Sequence, residues 1–245
     1  MNILLIIFLT MTLSSTNKDL LSNNNSQVNI KIEQGKNWLH DFPLFMGIKL
    51  KNPPQIAIWA EDLDGNYLTS IYVTQKTATE SWVANKGDRR ASSLPVWAHK
   101  RGVKSLDGLY LPTKKEPLTD GVTGATPKGD LNLKLSNIDK SNPGVISNLR
   151  KYKIFIEVNH STDWNEHFPK NAKIGDHNYS GGKGGSGQPA LVYSAIIDLS
   201  DGEKKFYASL VGHSSPDGSD GKIYPNLSKL TSALEIVEKI VITIN

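Results

Sequence analysis

Along most of the chain the hydrophobic and polar positions alternate with a period of two. Val28–Glu33 sets Val28, Ile30 and Ile32 against Asn29, Lys31 and Glu33, and Gln55–Ala60 repeats the pattern with Ile56 and Ile58. Alternation of this kind marks strands with one buried face. Asp64-Gly65 follows, a pair that tolerates positive φ and so predicts a hairpin turn into a partner strand at Tyr67–Thr74. Tyr152–Val158 is a further β-branched run. Ala190–Leu199 leads through Asp201-Gly202 toward Lys205–Val211, a second expected hairpin, and Ile236–Ile244 supplies a last strand. A short helical turn is expected near Leu230–Glu235 with Thr231 as its cap. Leu230–Ile240 also admits one longer helix, but its β-branched flanks favour the strand.

Seven strand candidates, two hairpins and no sustained amphipathic helix predict an all-β fold, an immunoglobulin/fibronectin-like β-sandwich. Two stretches lack the period: one near 77–143 with Trp82 and Trp97, and a glycine-rich one near 165–189. Both are expected as long loop insertions in a single domain spanning 28–245. The tryptophans should fold the first back onto the sandwich, while Gly181–Gly187 suggests a mobile flap. That glycine run has no strand before it, no helix after it and no Lys-Ser/Thr end, so it is no phosphate loop.

The N-terminus breaks the pattern differently. Met1–Leu13 is an apolar run too short to span a bilayer, followed by Ser14, Ser15 and Thr16. It reads as a signal peptide over 1–16 with a flexible leader over 17–27, which implies a periplasmic or secreted protein with no integral membrane span after signal removal. The 245 residues contain no Cys, which removes disulfides, thiolate metal sites, cysteine nucleophiles and a lipidated N-terminal cysteine. A net charge of +4 is spread among alternating acids and bases and gives no nucleic-acid stripe. Asn24, Asn159, Asn178 and Asn226 begin N-x-S/T triplets, relevant only to a eukaryotic secretory route.

The sharpest chemical segment is Asp120-Gly121-Val122-Thr123-Gly124-Ala125-Thr126. It resembles the flavin-attachment signal of exported bacterial proteins, an Asp, two variable residues, Ser or Thr, then Gly-Ala-Thr. All five specified positions match: Asp120, Thr123, Gly124, Ala125 and Thr126. A chance match in a chain this long should arise on the order of once in a thousand sequences. The resemblance implies covalent FMN, esterified through its phosphate to Thr126 by an FMN transferase, with a membrane redox partner. Trp82 or Trp97 would then be the stacking neighbours. Asp-Gly and Thr-Gly are also turn chemistry, so a plain surface loop explains the segment equally simply.

A wider resemblance runs from Pro54 to the C-terminus, to a family of bacterial proteins predicted to be periplasmic and of unknown function. It rests on Ile58-Trp59-Ala60-Glu61-Asp62 with Gly65, Leu94-Pro95-Val96-Trp97, Asp120–Pro127, Tyr152–Asn159, Gly187-Gln188-Pro189-Ala190 and Leu230-Thr231-Ser232-Ala233. It implies export and a β-rich domain, without a catalytic residue.

Two further clusters carry polar chemistry. Glu157–His167 with His213 offers His160, Asp163, Glu166 and His213 as a divalent-metal set for a hydrolase, though no spacing fixes them. The alternative is a hydrogen-bonded loop. His213-Ser214 is a poor nucleophile pair without Gly-x-Ser-x-Gly, and Asp217–Gly221 lacks the twelfth-position acid of an EF-hand. The remaining reading is a non-catalytic extracytoplasmic binding or accessory module built on the long loops.

Overall fold

Strand β1 (Gln27–Gln34) alternates in burial as it does in sequence: Val28, Ile30 and Ile32 face inward, while Lys31 and Glu33 pair on the outer face. Strand β4 (Gln55–Glu61) is different, with all seven residues buried. A strand can bury both faces only if its sheet is covered on both sides, and that requirement organises the molecule. The computed structural model describes residues 27–43, 46, 48–82, 88–136, 149–200, 202 and 204–245. The expected signal peptide and almost all of the leader lie outside the described residues, as does Asn24.

The other elements are β2 (His40–Pro43), β3 (Lys49–Asn52), β5 (Tyr67–Thr74), α1 (Gln75–Ala78), α2 (Pro95–Arg101), β6 (Val122–Gly124) and β7 (Leu131–Ser136). They continue with β8 (Lys151–Asn159), β9 (Leu191–Asp198), β10 (Lys205–Tyr207), β11 (Ser209–His213) and β12 (Val237–Ile244). A four-stranded sheet has the order β10-β12-β1-β7, and a six-stranded sheet the order β11-β9-β8-β4-β5-β6; among the described residues β2 and β3 pair only with each other. The fold is therefore all-β, with two very short α-helices among the described residues.

One apolar core joins the inner face of the four-stranded sheet (Ile30, Ile32, Ile240, Ile242) to one face of the six-stranded sheet (Ile56, Ile58, Ile154, Ile156). The opposite face of that sheet presents Ala57, Trp59, Val73 and Val192 to Leu94, Val96, Trp97, Leu111 and Leu118. Residues 94–118 of the 77–143 stretch are thus a third layer, with Trp97 folded back as expected, whereas β6 and β7 at its far end join the two large sheets and are not part of a loop insertion. The third layer's helix α2 carries Pro95 at the first turn and ends at Gly102, whose φ of +74° suits a left-handed cap.

The first hairpin forms as expected: β4 and β5 are antiparallel and Gly65 takes φ +87°. The second does not. The expected strand Lys205–Val211 divides into two strands in different sheets, because β10 pairs with β12 while β9 pairs with β11. Phe206 must reach the core between the sheets, and Ala208 bonds Ile240 O at the crossing. The turn at Ser232–Glu235 is present as one turn of 3-10 helix, but Thr231 gives it no side-chain cap; that hydroxyl contacts Gln188 Oε1 instead. Gly181–Gly187 is bound down rather than a free flap. Ser186 N donates to Ser180 O, Thr162 N to Gly185 O and Asp163 N to Ser186 O.

Candidate functional site

The Asp120–Thr126 segment forms the rim of the six-stranded sheet. β6 is its edge strand and runs parallel to β5, with Tyr72 opposite Val122, Val73 opposite Thr123 and Thr74 opposite Gly124. Asp120 anchors the entry: Oδ2 accepts from Tyr67 OH at 2.7 Å, and Oδ1 lies 3.2 Å from Arg101 Nε. Burial, and the Asp120 carboxylate beside it, raise the Tyr67 phenol well above its ordinary range. Gly121 is required by packing, since a Cβ there would lie 2.9 Å from Ser70 Cβ. Gly121→Ala should therefore cost about 1–3 kcal/mol by overpacking the β5–β6 contact, read as a lowered urea midpoint at unchanged m-value.

Val122, Thr123 and Ala125 are exposed and Gly124 half-buried, but Thr126 retains only 8% exposure. Its Oγ1 is 3.2 Å from Thr74 Oγ1. The Thr74 hydroxyl donates its proton to Ile56 O at 3.1 Å and accepts from Ile56 N at 2.7 Å. Thr126 is thus the donor in the Thr126–Thr74 contact, because Thr74 has one proton to give. Tyr72 OH completes the group by donating to Gly124 O, and burial raises its pKa, partly offset by hydrogen bonds with Thr126 and Thr74. Pro127 O accepts from Trp38 Nε1 at 3.0 Å, which pins the chain just past the threonine.

The tryptophans proposed as stacking neighbours have other work. Trp97 is fully buried and donates Nε1 to Ser70 Oγ, so its ring belongs to the third-layer core. Trp82 is half-buried with the Arg90 guanidinium 5.0 Å from its centroid. Described cavities of about 280 and 330 Å³ open along the loops between Glu80 and Glu116, and neither is lined by Asp120–Thr126.

The four residues named as a metal set do not come together. His160 Nε2 lies 2.9 Å from Asn37 O, and Asp163 Oδ1 accepts from Ser232 Oγ at 2.6 Å. Glu166 is exposed beside His167, and His213 is held by Ser214 O and Asn226 O. Among the described residues no group of three or more His, Asp or Glu side chains is placed to hold a metal ion. Spacing along a loop says nothing of convergence, and each group has found a local partner. Ser214 Oγ likewise bonds Ala190 N and Ser215 O, away from the His213 ring nitrogens.

Sequence reasoning misses the burial of Glu157, Asn159 and His160, residues it names only as parts of a polar cluster or a glycosylation triplet. Glu157 is fully buried on β8, and its carboxylate accepts from Val96 N at 3.1 Å and Trp97 N at 2.8 Å. Burial pushes its pKa up to about 8, against the pull of those two N–H donors. Asn159, two residues on, directs Nδ2 at Ser92 O, Ser93 O and Ser186 Oγ, all within 2.9 Å. At 3% exposure its triplet is closed to glycosylation in the folded chain. His160 stacks obliquely on His40 at 5.2 Å, and desolvation lowers its pKa to about 4.

Comparison with protein-family models, curated proteins and solved structures finds no match. Among the described residues no helix is long and apolar enough to cross a membrane.

Proposed function

We propose that this chain is an exported protein that carries covalent FMN on Thr126, on an immunoglobulin/fibronectin-like sandwich scaffold, and passes electrons to or from a membrane redox partner. One observation supports the reading above the others. All five motif positions lie on one short rim segment, with Thr123 open to solvent on an edge strand of three residues and Ala125 open just past its end. The new bond would join Thr126 Oγ1 to the FMN phosphorus. The bond from that phosphorus to the leaving group of a flavin-nucleotide donor breaks, and the Thr126 proton departs with that group. A transferase would supply the donor, and the flavin supplies the redox chemistry. The chain's own part is to present the hydroxyl.

Presentation requires movement. With 8% exposure, Thr126 Oγ1 accepts no phosphoryl group until β6 lifts from β5 and the Thr74 contact breaks. The same burial favours a second reading, a non-catalytic extracytoplasmic binding or accessory module in which Asp120–Thr126 is simply a packed edge. Intact mass and visible absorbance of protein co-produced with a bacterial FMN transferase separate the two. The carrier gains FMN less one water, with a yellow chromophore that survives denaturation, is lost in Thr126→Ala and is kept in Val122→Ala. No gain, where a known acceptor is modified in parallel, rejects the carrier and leaves the binding module.

A further inference from the structure

The β2–β3 hairpin belongs to neither large sheet, and its side chains are sorted without a core to sort them. The register sets Phe42 opposite Leu50 and Asp41 opposite Lys51. Since successive side chains point to opposite faces, Phe42, Leu50 and Ile48 share one face, and Asp41, Lys49 and Lys51 share the other. The polar face is tied together, with Asp41 2.6 Å from Lys51 Nζ and 3.5 Å from Lys49 Nζ. Toward the tip the apolar side chains are open, with Met46 90% exposed, Ile48 54% and Leu50 55%, while Phe42 is half-buried. No charged residue occurs between Asp41 and Lys49.

Apolar side chains as exposed as Met46, Ile48 and Leu50 contribute little to folding, so their use lies in what covers them. The geometry points to an anionic lipid surface, into which this hairpin inserts shallowly by Met46, Ile48 and Leu50 while Lys49 and Lys51 remain at headgroup level. Three features select lipid over a protein partner. The apolar side chains stand on a two-stranded hairpin outside both large sheets and line neither described cavity, and a bilayer interface accepts them without shape complementarity. Two lysines flank them against one aspartate, within a chain of net charge +4, which favours a negative surface. The outer edges of β2 and β3, which pair with no other strand among the described residues, can bond water at the interface, as they could not in the hydrocarbon centre.

This inference does not rest on flavin attachment. The test is co-sedimentation of the full chain with phosphatidylcholine vesicles containing roughly one quarter phosphatidylglycerol, and with phosphatidylcholine alone. The wild type should partition onto the anionic vesicles, and less so at about 0.5 M salt. Met46→Ser/Ile48→Ser/Leu50→Ser should weaken partitioning at least about tenfold, equivalent to about 1.4 kcal/mol. Lys49→Gln/Lys51→Gln should remove the preference for anionic vesicles. All substituted side chains are exposed, and unchanged near-ultraviolet circular dichroism confirms that each variant folds. Equal sedimentation of wild type and triple-serine variant, or none by either, overturns the proposal. So does a dimer seen by ultracentrifugation that the triple-serine change abolishes in a protein that ignores vesicles, since a second copy would then cover the face.

Discussion

Raising the pH from 6.5 to 9 is expected to lower the unfolding free energy by about 2 kcal/mol, and Glu157→Gln is expected to abolish that fall. The carboxyl group titrates near 4.5 in the unfolded chain and at about 8 in the folded one. Between those values the native state holds a proton that the unfolded state has lost. Stability from this group is therefore complete below pH 4.5 and drains away as pH rises through 8. His160 has the opposite sign. Its folded pKa of about 4 lies below the ordinary 6.5, so its contribution is complete above pH 6.5 and is lost as pH falls through 4. The two slopes oppose each other from 4.5 to 6.5 and give a plateau; above 6.5 Glu157 acts without His160. Asp163 is also raised by burial, so the glutamine variant is what assigns the effect. Urea midpoints across the range decide it. A flat wild-type profile would mean that the N–H groups of Val96 and Trp97 keep the carboxylate ionised throughout, and the prediction fails.

That buried carboxylate also marks where sequence reasoning stops. In Tyr152–Val158 the alternation correctly assigns Tyr152, Ile154, Ile156 and Val158 to one face, and by the same rule leaves Phe155 and Glu157 for solvent. The rule assumes one wet face. Here α2 and the loops around it cover that face, and α2 has seven residues, under two turns, too few to display a helical period. Its signals were local ones, Pro95 at the start and Gly102 at the end. β1, β4 and β8 were legible from long alternating runs, and β5 and β12 from length and β-branched or aromatic content. β2, β3 and β6 are three or four residues long, too short for a period to stand out from chance.

The candidate site divides the same way. Asp120, Thr123, Gly124, Ala125 and Thr126 could be singled out because the signal is contiguous. The burial of Thr126 could not, since it depends on Thr74 and Tyr72, more than fifty residues earlier, and on the pairing of β5 with β6. His160, Asp163, Glu166 and His213 failed as a set for the same reason. Convergence is a property of the fold, and loop spacing does not encode it.

Asn159 is where that non-local dependence should be most costly to disturb. Its Nδ2 holds the carbonyls of Ser92 and Ser93, which lead into α2, and the hydroxyl of Ser186, in the glycine-rich loop. One side chain at the end of β8 thus fastens both irregular stretches to the sheet. Asn159→Ala leaves Ser93 O and the Ser186 hydroxyl without that donor, while Ser92 O keeps the Ser186 Oγ proton, and at about 1–3 kcal/mol for each orphaned group the expected loss is about 3 kcal/mol. Asn159→Asp is nearly isosteric, yet should be worse at pH 7. It points a carboxylate oxygen at two carbonyl oxygens in a site of 3% exposure. Protonation restores one donor, so Asn159→Asp should regain stability on acidification to pH 5, whereas Asn159→Ala should not. Chemical denaturation at both pH values tests this, with amide exchange at Val96–Ala98 reporting whether α2 loosens first. Equal and small losses in the two variants would mean that the Ser92–Ser93 carbonyls find other donors, and that the third layer is held by its apolar contacts alone.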